Sequence, residues 1–487
     1  MELDFSLPNA RRKATFESIY SEVDLYRAAL KTYTKPLFRW RAALSRSQDG
    51  GTLYDFARSG HRNLNRIHRR LMDRSFHPRE GIARQYQFNG KARTIYIFPW
   101  EERIVDQMLF QTLNRYFHSA ISKHSYAYRH TGFGIDACQH RSAHELKKRS
   151  GPFYFTKRDI SVFFQSIDHT ILLEALKSWI EPTDYLFQLV TQRVRFSFQT
   201  ESQQSMCAEK GVPFGTSIAC FLANVYLLPL DRSMEKFPQL TYCRYADDVL
   251  QFTPSRDTAV KARDQLHEVL NRLKLKSKPS HELDFSFQPR TGPRLPGRSN
   301  APVDTEFPDR PNFRHLGLEF RRDRSIGLSR DKLRKIRNLF RFALRRSKQK
   351  FERIGDQPEP RAKHAIAVCC RVIGDGLRSV AIIDYYLKHV DDEGQLRLLD
   401  RWLAEEVLSI AFQNGHRKGN FRKLPFARLR EMGLPSLRHR RRLLNHGHLK
   451  ASFFVLRTKW LIEQERGRLP SRKAFSPGLE AAASKVS

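Results

Sequence analysis

An α+β chain, mixed in its first part and wholly helical in its last, is predicted by three observations. Short β-prone runs recur at 86–98, 153–164, 242–252 and 313–320, with helical or glycine-bounded stretches between them. After Ser329 the apolar residues fall at helical spacing, as in Leu333, Ile336, Phe340 and Leu344. The 487 residues are enough to bury a sizeable core and to divide into two or three domains.

Up to about Pro78 the chain reads as basic helices. Leu64, Ile67, Leu71 and Met72 form an apolar stripe, and Arg62, Arg66, Arg69, Arg70 and Arg74 take the other faces. Residues 86–98 alternate around Asn89-Gly90, a hairpin signal that sets Lys91 and Arg93 on or beside a strand, and a helical run covers 102–117. Residues 153–164 are β-prone and end in Asp159-Ile160-Ser161-Val162-Phe163-Phe164, so Asp159 lies near a strand end. A glycine-bounded loop from 211 runs into an apolar helix to 230. Residues 242–252 flank Asp247-Asp248 with apolar positions, the pattern of a hairpin whose tight turn presents two carboxylates. The window 288–311 holds six prolines, too many for strand or helix, and reads as an inserted loop. A short strand pair follows at 313–320. Basic helices then continue to about Ile462, before a loose tail.

Lysine and arginine number 87 against 51 acidic residues, and 87 minus 51 gives a net charge of +36. Such an excess favours a polyanionic partner, because cations that neutralise phosphates release condensed counterions. No membrane partner is expected: the longest apolar run, 218–230, is too short to cross a bilayer and contains Asn224 and Pro229. The start of the chain has no apolar secretory stretch, which predicts a cytoplasmic protein. Six cysteines without a C-x-x-C pair predict reduced, mostly buried thiols.

Transfer of a nucleotidyl group to a hydroxyl uses two divalent cations about 3.5–4 Å apart, and hard cations take carboxylate oxygens. Two adjacent aspartates on a turn and a third on a neighbouring strand meet that need; without cations they would repel one another. Tyr245-Ala246-Asp247-Asp248 resembles the Y-x-D-D box of reverse transcriptases, and Asp159 with Phe164 five residues later resembles the first palm motif of that family. Gly211-Val212-Pro213-Phe214-Gly215, continuing to Leu222-Ala223-Asn224-Val225-Tyr226-Leu227 and Leu230-Asp231, is similar to the G-x-P-x-G…L-x-N-x-Y segment between those two. Lys91 to Pro99 with Arg103-Ile104-Val105 looks like the fingers of group II intron and other bacterial reverse transcriptases. Ser125-Tyr126-Ala127-Tyr128-Arg129 resembles their S-Y-G-F-R motif, and Arg314-His315-Leu316-Gly317-Leu318 their primer-grip hairpin.

The resemblance covers about residues 60–320 and implies a right-hand polymerase fold: fingers and a ferredoxin-like antiparallel palm, then a helical thumb and C-terminal helical domain. It implies that Asp159, Asp247 and Asp248 are catalytic and hold two Mg2+ ions, with Mn2+ as a substitute. Phe164 would be the steric gate that has no room for a 2′-hydroxyl. Lys91 and Arg93 would grasp the triphosphate, Phe214, Gly215 and Tyr245 would line the nucleotide site, and Leu316 and Gly317 would form the primer grip. Arg337, Arg341, Arg345, Arg438 and Arg441 would contact an RNA–DNA duplex, recognised by shape and backbone. Two departures stand out. Phe214 replaces the family's usual glutamine, and a lysine usual after the palm helix has no clean counterpart, leaving Lys278 or His281 as proton donor to pyrophosphate.

The expected domains are 1–85, an N-terminal helical segment with the start of the fingers; 86–325, fingers and palm; 326–465, thumb and basic helical domain; and 466–487, a tail. No endonuclease, ribonuclease H or integrase block and no Asn-Ala-x-x-His signature is present. A palm with a long helical extension looks like the unknown-group, defence-associated (abortive-infection-like) bacterial lineage, related to group II intron and retron enzymes. Membership would imply antiphage cDNA synthesis on a noncoding RNA from deoxynucleoside triphosphates, with a homo-oligomer compatible. The alternatives are a template-independent or protein-primed DNA polymerase of the same fold, a group II intron or retron-type enzyme, and an inactive RNA-binding scaffold.

Overall fold

Alternating aromatic residues build the centre of the molecule. The structure, a computed structural model, describes residues 3–7, 12–34, 46–88, 91–129, 132–288, 304–373, 383–384 and 386–446, without the side chains of Thr34, Phe88 and Lys91. Eleven strands lie among them: β1 Gly81–Phe88, β2 Lys91–Ile97, β3 Phe153–Asp159, β4 Ser197–Gln199, β5 Ser205–Cys207, β6 Thr241–Tyr245, β7 Asp248–Thr253, β8 Leu283–Phe287, β9 Asn312–His315, β10 Leu318–Arg321 and β11 Ile326–Leu328. They form three sheets, ordered β2-β1-β4-β5, β6-β7-β3-β8 and β11-β10-β9.

The β6-β7-β3-β8 sheet is antiparallel throughout, with Phe155 opposite Phe252 and Phe285, and Asp159 opposite Asp248. Because side chains alternate with period two, Phe153, Phe155, Lys157 and Asp159 share one face of β3, and Phe252, Leu250 and Asp248 share the matching face of β7. The aromatic end of that face is the core. The Phe155 and Phe285 rings stack at 4.8 Å, Phe285 meets Phe313 at 5.0 Å, and Phe313 meets Phe320 at 5.1 Å. The polar end emerges where the core stops. The opposite face carries Thr156, Arg158, Val249 and Gln251, and the buried Arg158 pairs with Asp284 at 2.6 Å.

Two hydrophobic clusters result. One joins the N-terminal helices, the helix Trp100–Tyr116, the helix Ile218–Tyr226 and the helix Arg256–Arg272. The other runs from the phenylalanine face of the sheet through β9–β11 into the C-terminal helices, chiefly Arg330–Arg346, Pro358–Ile373 and Glu393–Phe412. The helical third is therefore packed on the β6-β7-β3-β8 sheet through a shared core.

Several expectations need amendment. Met72 is 57% exposed and does not belong to the stripe of Leu64, Ile67 and Leu71; one residue further round the helix turns it about 100° away. The β4–β5 hairpin was not foreseen. Three of the six thiols are buried (Cys138, Cys243, Cys369) and Cys207 is exposed, fewer buried than expected. Residues 289–303 of the proline-rich window and the tail from 447 on lie outside the described residues. The end of that window is ordered: Phe307 is buried and the Ser286 N–H donates to the Pro308 carbonyl at 3.0 Å. Among the described residues no helix is long and apolar enough to cross a membrane.

Candidate active site

The polar end of the β3–β7 face gathers the first carboxylates. Tyr245 pairs with Asp248 across the β6–β7 hairpin, leaving Ala246 and Asp247 as its two-residue turn. Ala246 takes φ +58°, a left-handed conformation unfavourable for a residue with a Cβ by about 1–2 kcal/mol. The turn is fastened to the end of β3 by the Ile160 N–H, which donates to the Asp247 carbonyl at 3.1 Å. The Asp247 and Asp159 carboxylates come within hydrogen-bonding reach. Burial, and then the charge of Asp159, push the Asp247 carboxyl up to about 6.

Asp248 has different company. His315 Nδ1 stands 3.5 Å and Lys157 Nζ 3.6 Å from its Oδ1. Burial would raise this carboxyl, but those two neighbours outweigh burial and hold it below the ordinary range. The same oxygen is buried and makes no hydrogen bond. Asp159 is met by His281, whose Nδ1 lies 2.9 Å from Oδ2, while Lys278 Nζ stands 3.5 Å from His281 Nε2. The two side chains considered as proton donors thus form one short relay ending on Asp159.

These groups suit a divalent cation in a particular way. Among the described residues no three Asp, Glu, His or Cys side chains converge as a complete metal cage. Two facing carboxylates, beside a third whose buried oxygen makes no hydrogen bond, are instead oxygen donors of the kind a hard divalent cation takes. Mg2+ takes one or two carboxylates and completes its shell with water and substrate phosphates.

Phe164 lies on the short turn Phe163–Ser166, which follows Val162 at φ +44°. A β-branched residue there is strained, and the strain turns the chain sharply away from β3. The Phe164 ring is half-buried between Phe214, at 5.1 Å, and Tyr128, at 6.1 Å. The exposed Arg93 guanidinium stands 5.8 Å from the centre of the Phe214 ring. The Tyr96 N–H donates to the Phe214 carbonyl at 3.2 Å, joining β2 to the loop. Gly215 takes φ +107°, and a Cβ there would stand 2.9 Å from Ile95 Cγ2. Phe164, Phe214, Gly215 and Arg93 therefore form one surface. The Lys91 side chain lies outside the described residues. Tyr245 packs, as Leu316 does, on the buried cluster of Tyr126, Cys138 and Cys243.

Leu316 and Gly317 form the β9–β10 turn, both with positive φ, between the paired His315 and Leu318. Gln139 Nε2 donates to the Leu316 carbonyl at 2.8 Å. Through His315 this turn is linked to Asp248. The predicted duplex arginines separate. Arg337 and Arg341 flank Trp402, each 5.4 Å from its ring, and Arg341 pairs with Glu406 at 3.2 Å. Arg438 is bound to Glu393, and the half-buried Arg441 donates to the Val390 carbonyl. Arg345 is exposed, on the same side of its helix as Arg334, Asn338 and the 63% exposed Phe342. Lys157, Arg244 and His315 were missed from sequence. Lys157, two residues before Asp159, carried a usable period-two signal; the others depend on distant partners.

Residues 79–281 match the family model described as reverse transcriptase (RNA-dependent DNA polymerase). The segment thus carries a reverse transcriptase domain, of the nucleotidyltransferase class, and contains all three aspartates. A search of curated proteins gives no match. Among solved structures, the apo telomerase from Candida tropicalis truncated from its C-terminal domain aligns at 12% identity and a TM-score of 0.39, over 51% of this chain and 55% of that chain. That alignment spans about half of either chain. The fold is the right-hand polymerase fold, α+β.

Proposed function

We propose that the chain is an RNA-directed DNA polymerase that makes cDNA on an associated RNA, with Asp159 and Asp247 as the principal catalytic carboxylates and Asp248 as a third at their side. The observation that carries this reading is the meeting of Asp159 and Asp247 at adjacent strand ends, where burial and mutual repulsion raise Asp247 to about 6. Bound there, divalent cations, Mg2+ or Mn2+, would activate the primer hydroxyl and steady the departing pyrophosphate. Asp159 and Asp247 would hold them. Lys157 and His315 keep Asp248 ionised at the rim.

The remaining residues supply position and selection. Arg93 offers a planar fork to triphosphate oxygens, with Lys91 on the same hairpin. Phe164 walls off the space beneath the sugar, and Phe214 backs that wall with a ring where a glutamine would offer a polar contact. The Leu316–Gly317 turn would hold the primer end. The long basic extension beyond residue 281 supports assignment to the defence-associated bacterial lineage, with a noncoding RNA as template and a cytoplasmic site of action.

The test is to purify the protein with its bound nucleic acid, add Mg2+ and labelled deoxynucleotides, and compare it with the Asp247→Ala, Asp248→Ala double variant while sequencing RNA and product. Incorporation by the wild type alone supports the reading and identifies the template. A wild type inert with both Mg2+ and Mn2+, despite bound RNA, overturns it in favour of a scaffold.

A further inference from the structure

Strand β6 reads Thr-Tyr-Cys-Arg-Tyr, and Arg244, one residue before the Tyr245–Asp248 hairpin, is completely buried. Four of the five N–H groups of its guanidinium have partners. Nε and Nη2 donate to the two oxygens of Asp231 at 2.7 and 2.6 Å, and Nη1 donates to Asn224 Oδ1 at 3.2 Å and to the Ala246 carbonyl at 3.1 Å. Asp231 also accepts from the Tyr242 hydroxyl at 2.8 Å. Asn224 accepts from Ser125 Oγ at 3.2 Å and donates from Nδ2 to the Ala127 carbonyl at 3.0 Å. The Leu-x-Asn-x-Tyr segment, the Leu-Asp pair and the Ser-Tyr-Ala-Tyr-Arg segment thus converge on one side chain.

Stability alone does not account for this arrangement. A buried ion pair is often replaceable by apolar residues of similar volume without loss, because desolvation cancels much of the attraction. What such a replacement would not reproduce is the donor aimed at Ala246. That carbonyl belongs to the peptide joining the strained Ala246 to Asp247. The peptide is planar, so fixing its oxygen fixes its N–H as well. That N–H favours the ionised Asp247 carboxylate. On its other side the Asp247 carbonyl is held by Ile160.

We propose that Arg244 is a positioning residue for Asp247: locked by Asp231 and Asn224, it holds the Ala246 carbonyl and so sets the direction in which the Asp247 carboxylate projects. This rests on the reading of Asp247 as a metal-holding carboxylate. It assigns the Asp231–Arg244 pair a role in site geometry and not in folding.

Two full-length variants test it. The Arg244→Met, Asp231→Leu, Tyr242→Phe triple variant removes the polar network with little change of volume. Arg244→Lys keeps the charge beside Asp231 but has no fork to span Asp231 and Ala246 together. Each is compared with wild type by thermal melting, by kcat and KM for deoxynucleotide, and by Mn2+ titration of nuclease-treated protein followed by electron paramagnetic resonance. Loss of an orienting partner predicts a fall in kcat and in Mn2+ affinity of about 10–100-fold, with KM unchanged. A triple variant that melts with the wild type yet keeps its kcat and Mn2+ affinity overturns the proposal. If the triple variant does not fold, Arg244→Lys decides by the same two readouts. A wild type that binds Mn2+ but never polymerises refutes the polymerase reading alone, and the Mn2+ affinities then decide the role of Arg244.

Discussion

The rings of Phe164 and Phe214 stand 5.1 Å apart at 57°, so the residue that replaces the expected glutamine is the direct support of the candidate gate. Truncating the gate itself, Phe164→Ala, should raise ribonucleotide use relative to deoxynucleotide by about 10–100-fold in kcat/KM. Phe214→Gln removes one aromatic pair, of about 0.5–1.5 kcal/mol, and should relax the same ratio by roughly 2- to 10-fold. Competitive incorporation of the two sugars measures both. Equal discrimination in Phe214→Gln and wild type would mean that the ring is packing and nothing more.

The placement of the three aspartates was legible in sequence because it is local. Asp159 at a strand end and Asp247-Asp248 at a hairpin turn follow from alternation and a two-residue turn, both set within a few residues. What escaped depends on partners far away in the chain. Arg244 reads as an ordinary basic residue because nothing adjacent reveals Asp231, on a helix 13 residues earlier. Glu406 and Trp402 take Arg341, and Glu393 takes Arg438, between the C-terminal helices, so part of what looks like a uniform phosphate-binding surface is engaged internally. The β4–β5 hairpin was missed because three-residue strands are shorter than the four to eight residues over which alternation can be recognised.

A latch between helix Ile135–Lys148 and the segment Lys388–His389 predicts a pH dependence. Asp136 accepts from His389 Nε2 at 2.8 Å and Lys388 Nζ at 2.5 Å. Burial would raise this carboxyl, but the two donors outweigh it and hold it at about 2, against an ordinary value of 3.8. With a depressed pKa the contribution is complete above about pH 4 and is lost as pH falls through 2. Since the side chain is 37% exposed, solvent screening limits it to on the order of 1 kcal/mol. Asp136→Asn should therefore unfold at lower urea than wild type at pH 6, and the two curves should converge towards pH 2. A constant gap across that range would exclude the latch.

Gly211 is where the loop before Phe214 passes beneath the gate. It has φ +83°, and a Cβ there would lie 2.9 Å from Gln165 Cα and 3.0 Å from the Phe164 carbonyl oxygen, both backbone atoms that cannot swing aside. The Val212 N–H donates to that same carbonyl at 2.8 Å. Gly211→Ala should lose more than the roughly 1–2 kcal/mol of a left-handed Cβ alone, because the loop must also move off the turn. Denaturant unfolding gives the stability, and the sugar-discrimination assay above should show a loosened gate in the same variant. Wild-type values in both would remove the close approach as a constraint.

Exposed and engaged arginines should behave differently towards nucleic acid. Arg345 lies on an exposed face with Arg334, Lys335, Asn338 and Phe342, whereas Arg441 is half-buried and donates to the Val390 carbonyl. A side chain that neutralises one phosphate contributes about 0.7–0.9 to the slope of log K against log salt. Arg345→Ala should flatten the slope for an RNA–DNA duplex by up to that amount and leave the melting temperature unchanged. Arg441→Ala should leave the slope alone but cost about 1–3 kcal/mol of stability, since a buried carbonyl loses its donor. Filter binding across a salt series, with thermal melting of both variants, separates the two. If Arg441→Ala flattens the slope and Arg345→Ala does not, the duplex lies against the helix Leu437–Asn445 and not along the helix Arg330–Arg346.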